Sequence, residues 1–388
     1  MRSWLLILLI INITFILSGC KVDTHEVDNP TDPRAFYFGV DLSYVNQIQD
    51  RGGIYKVNNT IQDPYRIFKD KGTTLVRFRL WHNPTWTKSV YSPPISQMYN
   101  DLNDVEKGIA KAKAEDMGIL LDFHYSDSWA DPEKQEPPAA WKSITSHSVL
   151  KDSIYQYTFR TLQQLKEKDL LPDMIQIGNE TNCGILLTNA PSGFPSSNVC
   201  NNQWIMAGEL YNSAILAVRN ISPDIEIILH IADPQYMDWW FDGITTQGKV
   251  TDFDIMGFSY YPIWHTTISI SQLKGTVQSL KGKYKRDIMI LETAYPWTTT
   301  GNDSYANVFG SQAVTGYPIT QQGQRDIMIA IVTAMRDGGG IGVVYWEPAW
   351  ITSNLKDLWG TGSSWENCAF FNYDGNAHLG FDYMRYVY

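Results

Sequence analysis

Eight short apolar runs recur along the chain, and each has the length and composition of a buried β-strand. Most are nearly continuous in Val, Ile, Leu, Met and Phe, as expected for strands whose two faces are both covered. Such strands are typical of a parallel sheet. The predicted strands are Phe36–Asp41, Leu75–Leu80, Ile119–Phe123, Met174–Gly178, Ile225–Ile231, Ile255–Ser259, Ile288–Leu291 and Val343–Trp346.

Stretches with helical periodicity separate these strands. After the second strand, Val105, Ile109 and Ala112 form one apolar face, and Lys and Glu lie opposite. Eight strand–helix units without an inserted second domain predict an α/β fold, a (β/α)8 TIM barrel that forms a single domain over residues 35–388. The predicted helices are Asn103–Met117, Leu150–Lys168, Gln203–Ile221, Ser271–Lys285 and Thr320–Asp337.

The N-terminal residues have the pattern of an export signal. Arg2 precedes an apolar run of roughly 14 residues, which is shorter than the ~20 residues that a membrane-spanning helix needs. The run ends in Leu17-Ser18-Gly19-Cys20, which resembles the lipobox of bacterial lipoproteins. We therefore expect a signal peptide over residues 1–19, lipidation of Cys20 and a flexible polar tether over residues 20–34.

The net charge, the N-terminal motif and the cysteines indicate where the protein is located and which partners it is expected to bind. The net charge of the 388-residue chain is −10, and Lys and Arg form no basic stripe, so we expect no nucleic-acid partner. The lipobox predicts a secreted protein anchored in a bacterial outer membrane, and the acidic residues of the tether favour the cell surface. Export implies an oxidising compartment, in which Cys183 and Cys200 are candidates for a loop-closing disulfide and one thiol is left over.

Polar residues that follow the strands are the candidates for a functional site, because a TIM barrel carries its chemistry at the C-terminal ends of its strands. Glu180 follows the fourth strand and Glu292 follows the seventh, on opposite sides of the barrel mouth. Two facing carboxyl groups suit the cleavage of a glycosidic bond, where one protonates the leaving oxygen and the other attacks or activates water. Arg77 can keep the attacking carboxylate ionised, so that the two pKa values diverge.

Several ordered segments around these carboxylates resemble a known family. Asn-Glu on strand 4, Glu on strand 7, Arg on strand 2 and Trp on strand 8 are together similar to clan A of the retaining glycoside hydrolases. From about Phe36 to the C-terminus, the chain resembles glycoside hydrolase family 53, the endo-β-1,4-galactanases. The matching segments are Phe38–Ser43, Val76–Trp81, Asp122–Pro132, Ile177–Glu180, Glu292–Pro296 and Tyr345–Trp350.

The resemblance implies a role for each matched residue. It makes Glu180 the acid/base and Glu292 the nucleophile of a retaining endo-hydrolysis of β-1,4-galactan, the side chain of pectic arabinogalactan. Arg77 and Tyr261 would support Glu292, and Asn179 would hydrogen-bond the sugar 2-hydroxyl. The predicted substrate contacts are Asp127, Trp129, His230, Asp233, Trp297, Trp346 and Trp350.

The same reasoning bears on cofactors and partners. Two carboxylates suffice for hydrolysis, so no cofactor is expected to be required. Some bacterial family members carry a structural Ca²⁺ in the loop after strand 7, but here Gly301 and Tyr305 occupy two expected ligand positions. Asp303 and Asn307 remain as candidate ligands, too few hard oxygens for a tight site. We expect a monomer that binds galactan or galacto-oligosaccharides and touches the membrane only through Cys20.

Two alternatives stay open at this stage. The catalytic pair alone does not separate galactanase from another clan A β-glycanase, such as a mannanase, cellulase or xylanase. The segments Asp122–Pro132 and Trp346–Trp350 favour galactanase. The second alternative is a non-catalytic surface lipoprotein that captures glycans, although such a protein would have no reason to keep both Glu180 and Glu292.

Overall fold

Eight parallel strands close into a barrel in the computed structural model, which describes residues 35–388. Each strand pairs with the next, and the first strand pairs with both the second and the eighth. The predicted TIM barrel is therefore confirmed. The strands are β1 (Tyr37–Asp41), β2 (Leu75–Leu80), β3 (Gly118–Phe123), β4 (Met174–Ile177), β5 (Glu226–Ala232), β6 (Ile255–Ser259), β7 (Asp287–Glu292) and β8 (Gly342–Tyr345).

Helices cover the outer face of the barrel, and the five predicted ones form within a few residues of their expected bounds. The helices between strands are α1 (Pro64–Lys71), α2 (Leu102–Ala114), α3 (His147–Glu167), α4 (Trp204–Ile221), α5 (Met237–Thr246), α6 (Ile270–Tyr284) and α7 (Gln321–Gly338). Shorter elements are the helices Val45–Asp50 and Trp86–Ser89, the hairpin strands Lys56–Val57 and Thr60–Ile61, and the 3-10 turns Ala139–Trp141, Val199–Asn201, Pro234–Tyr236 and Leu379–Arg385.

Two of the helices between strands, α1 and α5, had no predicted counterpart. In α1, Asp63 caps the first turn and Gly72 ends the helix with φ 108°, a left-handed conformation that favours glycine. At eight residues, the helix is too short for its periodicity to stand out. In α5, Trp239, Trp240 and Phe241 are consecutive, so composition alone favours a strand, and only packing against the barrel decides for a helix.

Strand alternation explains how the barrel interior divides into an apolar layer and a polar layer. Every second residue of a strand points inward, so the position two residues beyond an inward apolar side chain also faces the interior. The lower layer contains Leu75, Leu120, Met174 and Ile228. Two residues further along the same strands, the interior holds Arg77, Asp122, Gln176 and His230, all buried.

Residues 1–34, which include the expected signal peptide, Cys20 and the whole of the expected tether, lie outside the described residues. Their predicted roles and the boundaries drawn there stay predictions. Within residues 35–388, no helix has both the length and the apolar character needed to cross a membrane.

Candidate active site

Glu180 lies just beyond the end of β4 in an uncommon backbone conformation. Its φ is 47°, in the left-handed region that non-glycine residues enter rarely, and Gly178 before it has φ 79°. Its backbone N–H donates to Nδ1 of the buried His230 at 3.2 Å. Such strain persists only where the surrounding contacts hold it, and it is frequent at functional sites.

Glu292 is the last residue of β7, and two side chains bind its two carboxyl oxygens. Arg77 Nη2 lies 3.0 Å from Oε1, and the Tyr261 hydroxyl donates to Oε2 at 2.9 Å. The structure thus brings Arg77 and Tyr261 to Glu292, where the family resemblance expects them.

Arg77, on β2, binds side chains at the ends of several other strands of the barrel. Its Nη1 lies 2.9 Å from Asp41 Oδ2, and its Nη2 lies 2.7 Å from Asp122 Oδ2. Nη2 also donates to Asn179 Oδ1 at 2.7 Å. A buried guanidinium needs such partners, and their fixed positions hold it against Glu292.

The environments of the two glutamates differ. Burial raises the pKa of Glu180 well above its usual value, and the charge of Glu292 adds to that rise. Burial also raises the pKa of Glu292, but the charge of Arg77 and the hydrogen bond from the Tyr261 hydroxyl oppose that rise. Glu292 is therefore the first of the pair to ionise, and Glu180 is the carboxyl that keeps its proton.

A single cavity of about 860 Å³ opens at the C-terminal ends of the strands and contains both carboxyl groups. Of the predicted substrate contacts, Trp129, Trp346 and Trp350 line it. Aromatic faces pack against the apolar faces of sugar rings, so this lining suits a polysaccharide. Sequence reasoning missed four further aromatic residues of the lining, which are Trp264, Tyr305, Trp359 and Trp365.

Comparisons with known proteins identify the family. The model of glycosyl hydrolase family 53 matches residues 37–384. This chain belongs to glycosyl hydrolase family 53.

Relatives in the family share most of its length. The chain is 42% identical over 366 residues to the arabinogalactan endo-beta-1,4-galactanase of Cellvibrio japonicus, covering 92% of this chain and 91% of the relative. It is 33% identical to the endo-beta-1,4-galactanase of Bacillus subtilis, covering 87% of this chain and 78% of that protein. The solved GH53 catalytic domain of Ignisphaera aggregans superposes with a TM-score of 0.81 at 33% identity, over 92% of this chain and 97% of that domain.

In this family 53 chain, Trp129 lines the cavity and also packs against a buried arginine. Its ring lies over the buried guanidinium of Arg79, with 4.1 Å between the guanidinium carbon and the ring centroid, and the ring of Tyr44 lies equally close. Arg79 Nη1 also lies 2.7 Å from Glu347 Oε1. Trp129 is therefore held in place by a buried cation, which fixes its orientation in the cavity.

Four predicted substrate contacts are not among the residues that line the cavity. His230 is fully buried beneath Glu180. Asp127 accepts the backbone N–H groups of Asn83 and Ala139. Asp233 caps a turn at the end of β5, and Trp297 packs against Tyr373 and His378. For each of the four, the structure shows a contact within the protein, and the role as a sugar contact stays a prediction.

The segment considered for Ca²⁺ does not fit the ion. Asp303 Oδ1 accepts the N–H of Tyr305 at 2.8 Å, and its Oδ2 accepts the N–H of Ser363 at 2.9 Å. Asn307 Oδ1 accepts the N–H of Asn367. Ca²⁺ takes six to eight oxygens, yet within the described residues no group of three or more His, Cys, Asp or Glu is placed to hold a metal.

The loop after β4 is closed by a disulfide between Cys183 and Cys200, the pair that sequence had left as candidates. The remaining described cysteine, Cys368, is buried and free. Because Cys183 lies three residues beyond Glu180, the disulfide closes the loop that follows the acid/base candidate.

Proposed function

We propose that this chain is an arabinogalactan endo-β-1,4-galactanase that acts by a retaining double displacement, with Glu180 as acid/base and Glu292 as nucleophile. The observation that carries the assignment of roles is the asymmetry around the pair. Arg77 and Tyr261 both bind the carboxyl of Glu292, whereas Glu180 is desolvated beside that negative charge.

Two steps follow from this arrangement. In the first, a carboxylate oxygen of Glu292 forms a bond to the anomeric carbon while the glycosidic C–O bond breaks, and Glu180 gives its proton to the leaving oxygen. In the second, water attacks the anomeric carbon, its proton goes to Glu180, and the bond to Glu292 breaks. Glu180 loses the neighbouring charge in the intermediate, so its pKa falls and it can act as the base.

The shape of the site supports a polymeric substrate. The cavity is open to solvent and six tryptophans line it, which suits the binding of several sugar rings of a polysaccharide. The choice of β-1,4-galactan rests on the names of the two galactanase relatives, one of which is 42% identical.

Substrate comparison and product stereochemistry test the proposal together. Reducing-sugar release is measured on potato galactan, mannan, xylan and carboxymethylcellulose, and galactan is expected to react fastest, with β-anomers as the first products in NMR. A faster reaction on another polymer would identify a different clan A glycanase. No release from any polymer, with galactan still bound, would identify a glycan-capturing protein. An α-anomer as first product would overturn the retaining mechanism.

We also propose a location and a quaternary state. The lipobox-like Leu17–Cys20 segment supports export and lipidation of Cys20, which would anchor a monomer in the bacterial outer membrane at the cell surface. The reaction is proposed to need no metal, because two carboxylates supply both the acid and the nucleophile.

A further inference from the structure

A buried glutamine in the loop after β3 binds the backbone at Glu180, and the mechanism has so far given it no role. Gln135 is 3% exposed and is not among the residues that line the cavity. Its side-chain amide nitrogen lies 2.8 Å from the carbonyl oxygen of Asn179 and 3.4 Å from that of Glu180. The same nitrogen lies 3.0 Å from the carbonyl oxygen of Asp131. Because carbonyl oxygens can only accept, the nitrogen of the amide, and not its oxygen, faces all three.

The peptide group between Asn179 and Glu180 is held at both of its polar atoms. Its carbonyl oxygen accepts from the amide of Gln135 at 2.8 Å, and its N–H donates to the ring of His230 at 3.2 Å. Rotation of this rigid peptide group would change φ of Glu180, and with it the direction of the side chain. The left-handed φ of 47° at Glu180 persists only while such contacts hold it.

Gln135 is itself bound to the loop after β4. Its N–H donates to the Thr188 hydroxyl at 2.7 Å, and its carbonyl oxygen accepts from the Thr188 N–H at 3.1 Å. Thr188 lies within the loop that the disulfide between Cys183 and Cys200 closes. The backbone of Gln135 is therefore paired with the disulfide loop while its side chain reaches Glu180, so a shift of either loop would break these bonds.

We infer that Gln135 is a positioning residue that holds the carboxyl of Glu180 in reach of the glycosidic oxygen. The inference rests on the proposed acid/base role of Glu180. Proton transfer needs the two groups within hydrogen-bonding distance, and a displacement of about 1 Å can lower a rate about 10²-fold. Gln135 therefore affects the steps in which Glu180 gives or takes a proton, and it does not affect the attack by Glu292.

The side chain of Asn179, the expected partner of the sugar 2-hydroxyl, is held by other groups. Its Oδ1 accepts from Arg77 at 2.7 Å, and its Nδ2 donates to the carbonyl oxygen of Ala130 at 2.8 Å. Loss of the Gln135 amide leaves both bonds in place. The defect is therefore expected at Glu180 and not at Asn179.

Gln135→Met keeps the length of the side chain and removes the donor. The variant should lower kcat/KM on galactan about tenfold to 100-fold, because the poor sugar leaving group needs the acid. On 2,4-dinitrophenyl β-galactobioside, whose leaving group needs no proton, kcat/KM should stay within about threefold of the wild type. The attack of water still needs the base, so kcat on this substrate should fall about tenfold, and azide, which needs no base, should restore it.

Gln324→Met is the matched control. Gln324 is also a buried glutamine, and its amide nitrogen donates to the carbonyl oxygens of Tyr295 and Cys368 at 2.7 and 3.0 Å. It lies on α7, outside the lining of the cavity. The same loss of hydrogen bonds there should lower the melting temperature without changing the ratio of the rates on the two substrates. That ratio separates the positioning of the acid from a loss of stability.

The ratio of the two rates in Gln135→Met decides the inference. Equal losses on galactan and on the dinitrophenyl substrate, as expected for Gln324→Met, would overturn it. If Gln135→Met does not fold, Thr188→Val replaces it, because this change removes only the hydroxyl that accepts from Gln135. Thr188→Val should give a loss of about threefold on galactan alone, and an unchanged ratio would again overturn the inference.

Glu180→Ala, measured on the same two substrates, separates this inference from the proposed function. If Glu180→Ala shows no selective loss on galactan, the proposed acid/base role of Glu180 is wrong. If Glu180→Ala shows the selective loss and Gln135→Met does not, the role of Glu180 stands and only the role of Gln135 is wrong.

Discussion

Tyr261 donates a hydrogen bond of 2.9 Å to Glu292 Oε2, on the oxygen opposite the one that Arg77 binds. Burial and the adjacent carboxylates raise the pKa of Tyr261 well above its usual value, so its hydroxyl keeps the proton that it donates. The nucleophile is therefore fixed at both oxygens by groups that favour its charged form.

Replacing Tyr261 by Phe should move the acidic limb of the pH profile. The hydroxyl lowers the pKa of Glu292, so its loss raises that pKa, and a higher pH is needed to ionise the nucleophile. A hydrogen bond to a charged group corresponds to a shift of about one pH unit. The measurement is kcat/KM on galactan against pH. Tyr260→Phe is the control, since the Tyr260 hydroxyl donates to the carbonyl of Ile268. Equal acidic limbs in the two variants would contradict the assignment.

Removing each glutamate should give different defects. Glu292→Ala should abolish turnover of every substrate, because no glycosyl-enzyme forms. Glu180→Ala should lower kcat/KM on galactan by about 10²–10⁴, the usual contribution of a general acid. With a good leaving group and added azide, it should release a β-galactosyl azide, identified by NMR. An α-linked azide from Glu180→Ala would contradict the retaining mechanism. Azide rescue of Glu292→Ala in place of Glu180→Ala would show that the roles of the two glutamates are exchanged.

Replacing Trp359 tests whether the aromatic lining of the cavity binds substrate, without disturbing the hydrophobic core. Its side chain lines the cavity and is exposed, at 56% of its surface. Trp359→Ala should raise KM for long galactan about threefold to tenfold by removing a stacking surface. The melting temperature should change by less than about 2 °C. Trp239, 46% exposed and outside the lining of this cavity, is the matched control. An unchanged KM would remove Trp359 from the binding surface.

Chelation should leave the enzyme active. Because the oxygens of Asp303 already accept backbone N–H groups, we expect EDTA to change neither kcat nor the melting temperature. Both are measured before and after dialysis against EDTA. Loss of activity that Ca²⁺ restores, and Mg²⁺ does not, would show that this loop rearranges to bind the ion.

Cys20→Ala should release the protein from membranes. The lipid is expected on Cys20, so the variant should move from the membrane fraction to the soluble fraction with its galactanase activity intact. Cys368→Ala, which changes a cysteine inside the barrel domain, should remain in the membrane fraction. Membrane retention of Cys20→Ala would rule out the lipobox interpretation.

The sequence by itself determined the barrel and the two carboxylates. A buried parallel strand is a local pattern, and parallel strands of a barrel all end at one face. A polar residue at the end of a strand or just beyond it, such as Glu292 or Glu180, is therefore placed at the mouth by its position in the chain. Arg77 follows the same logic, because it lies two residues beyond Leu75 on one inward-facing row.

Only the tertiary structure decided which loop residues reach the cleft and what supports Glu180. Trp359 reaches the cavity from a loop without a strand to set its direction. Trp297 lies only five residues beyond Glu292, the last residue of β7, yet it turns away to pack on His378. Gln135 and His230 meet at the peptide group before Glu180, one from the loop after β3 and the other from β5. Loop paths and strand registers depend on contacts between residues far apart in sequence, so no local pattern reveals them.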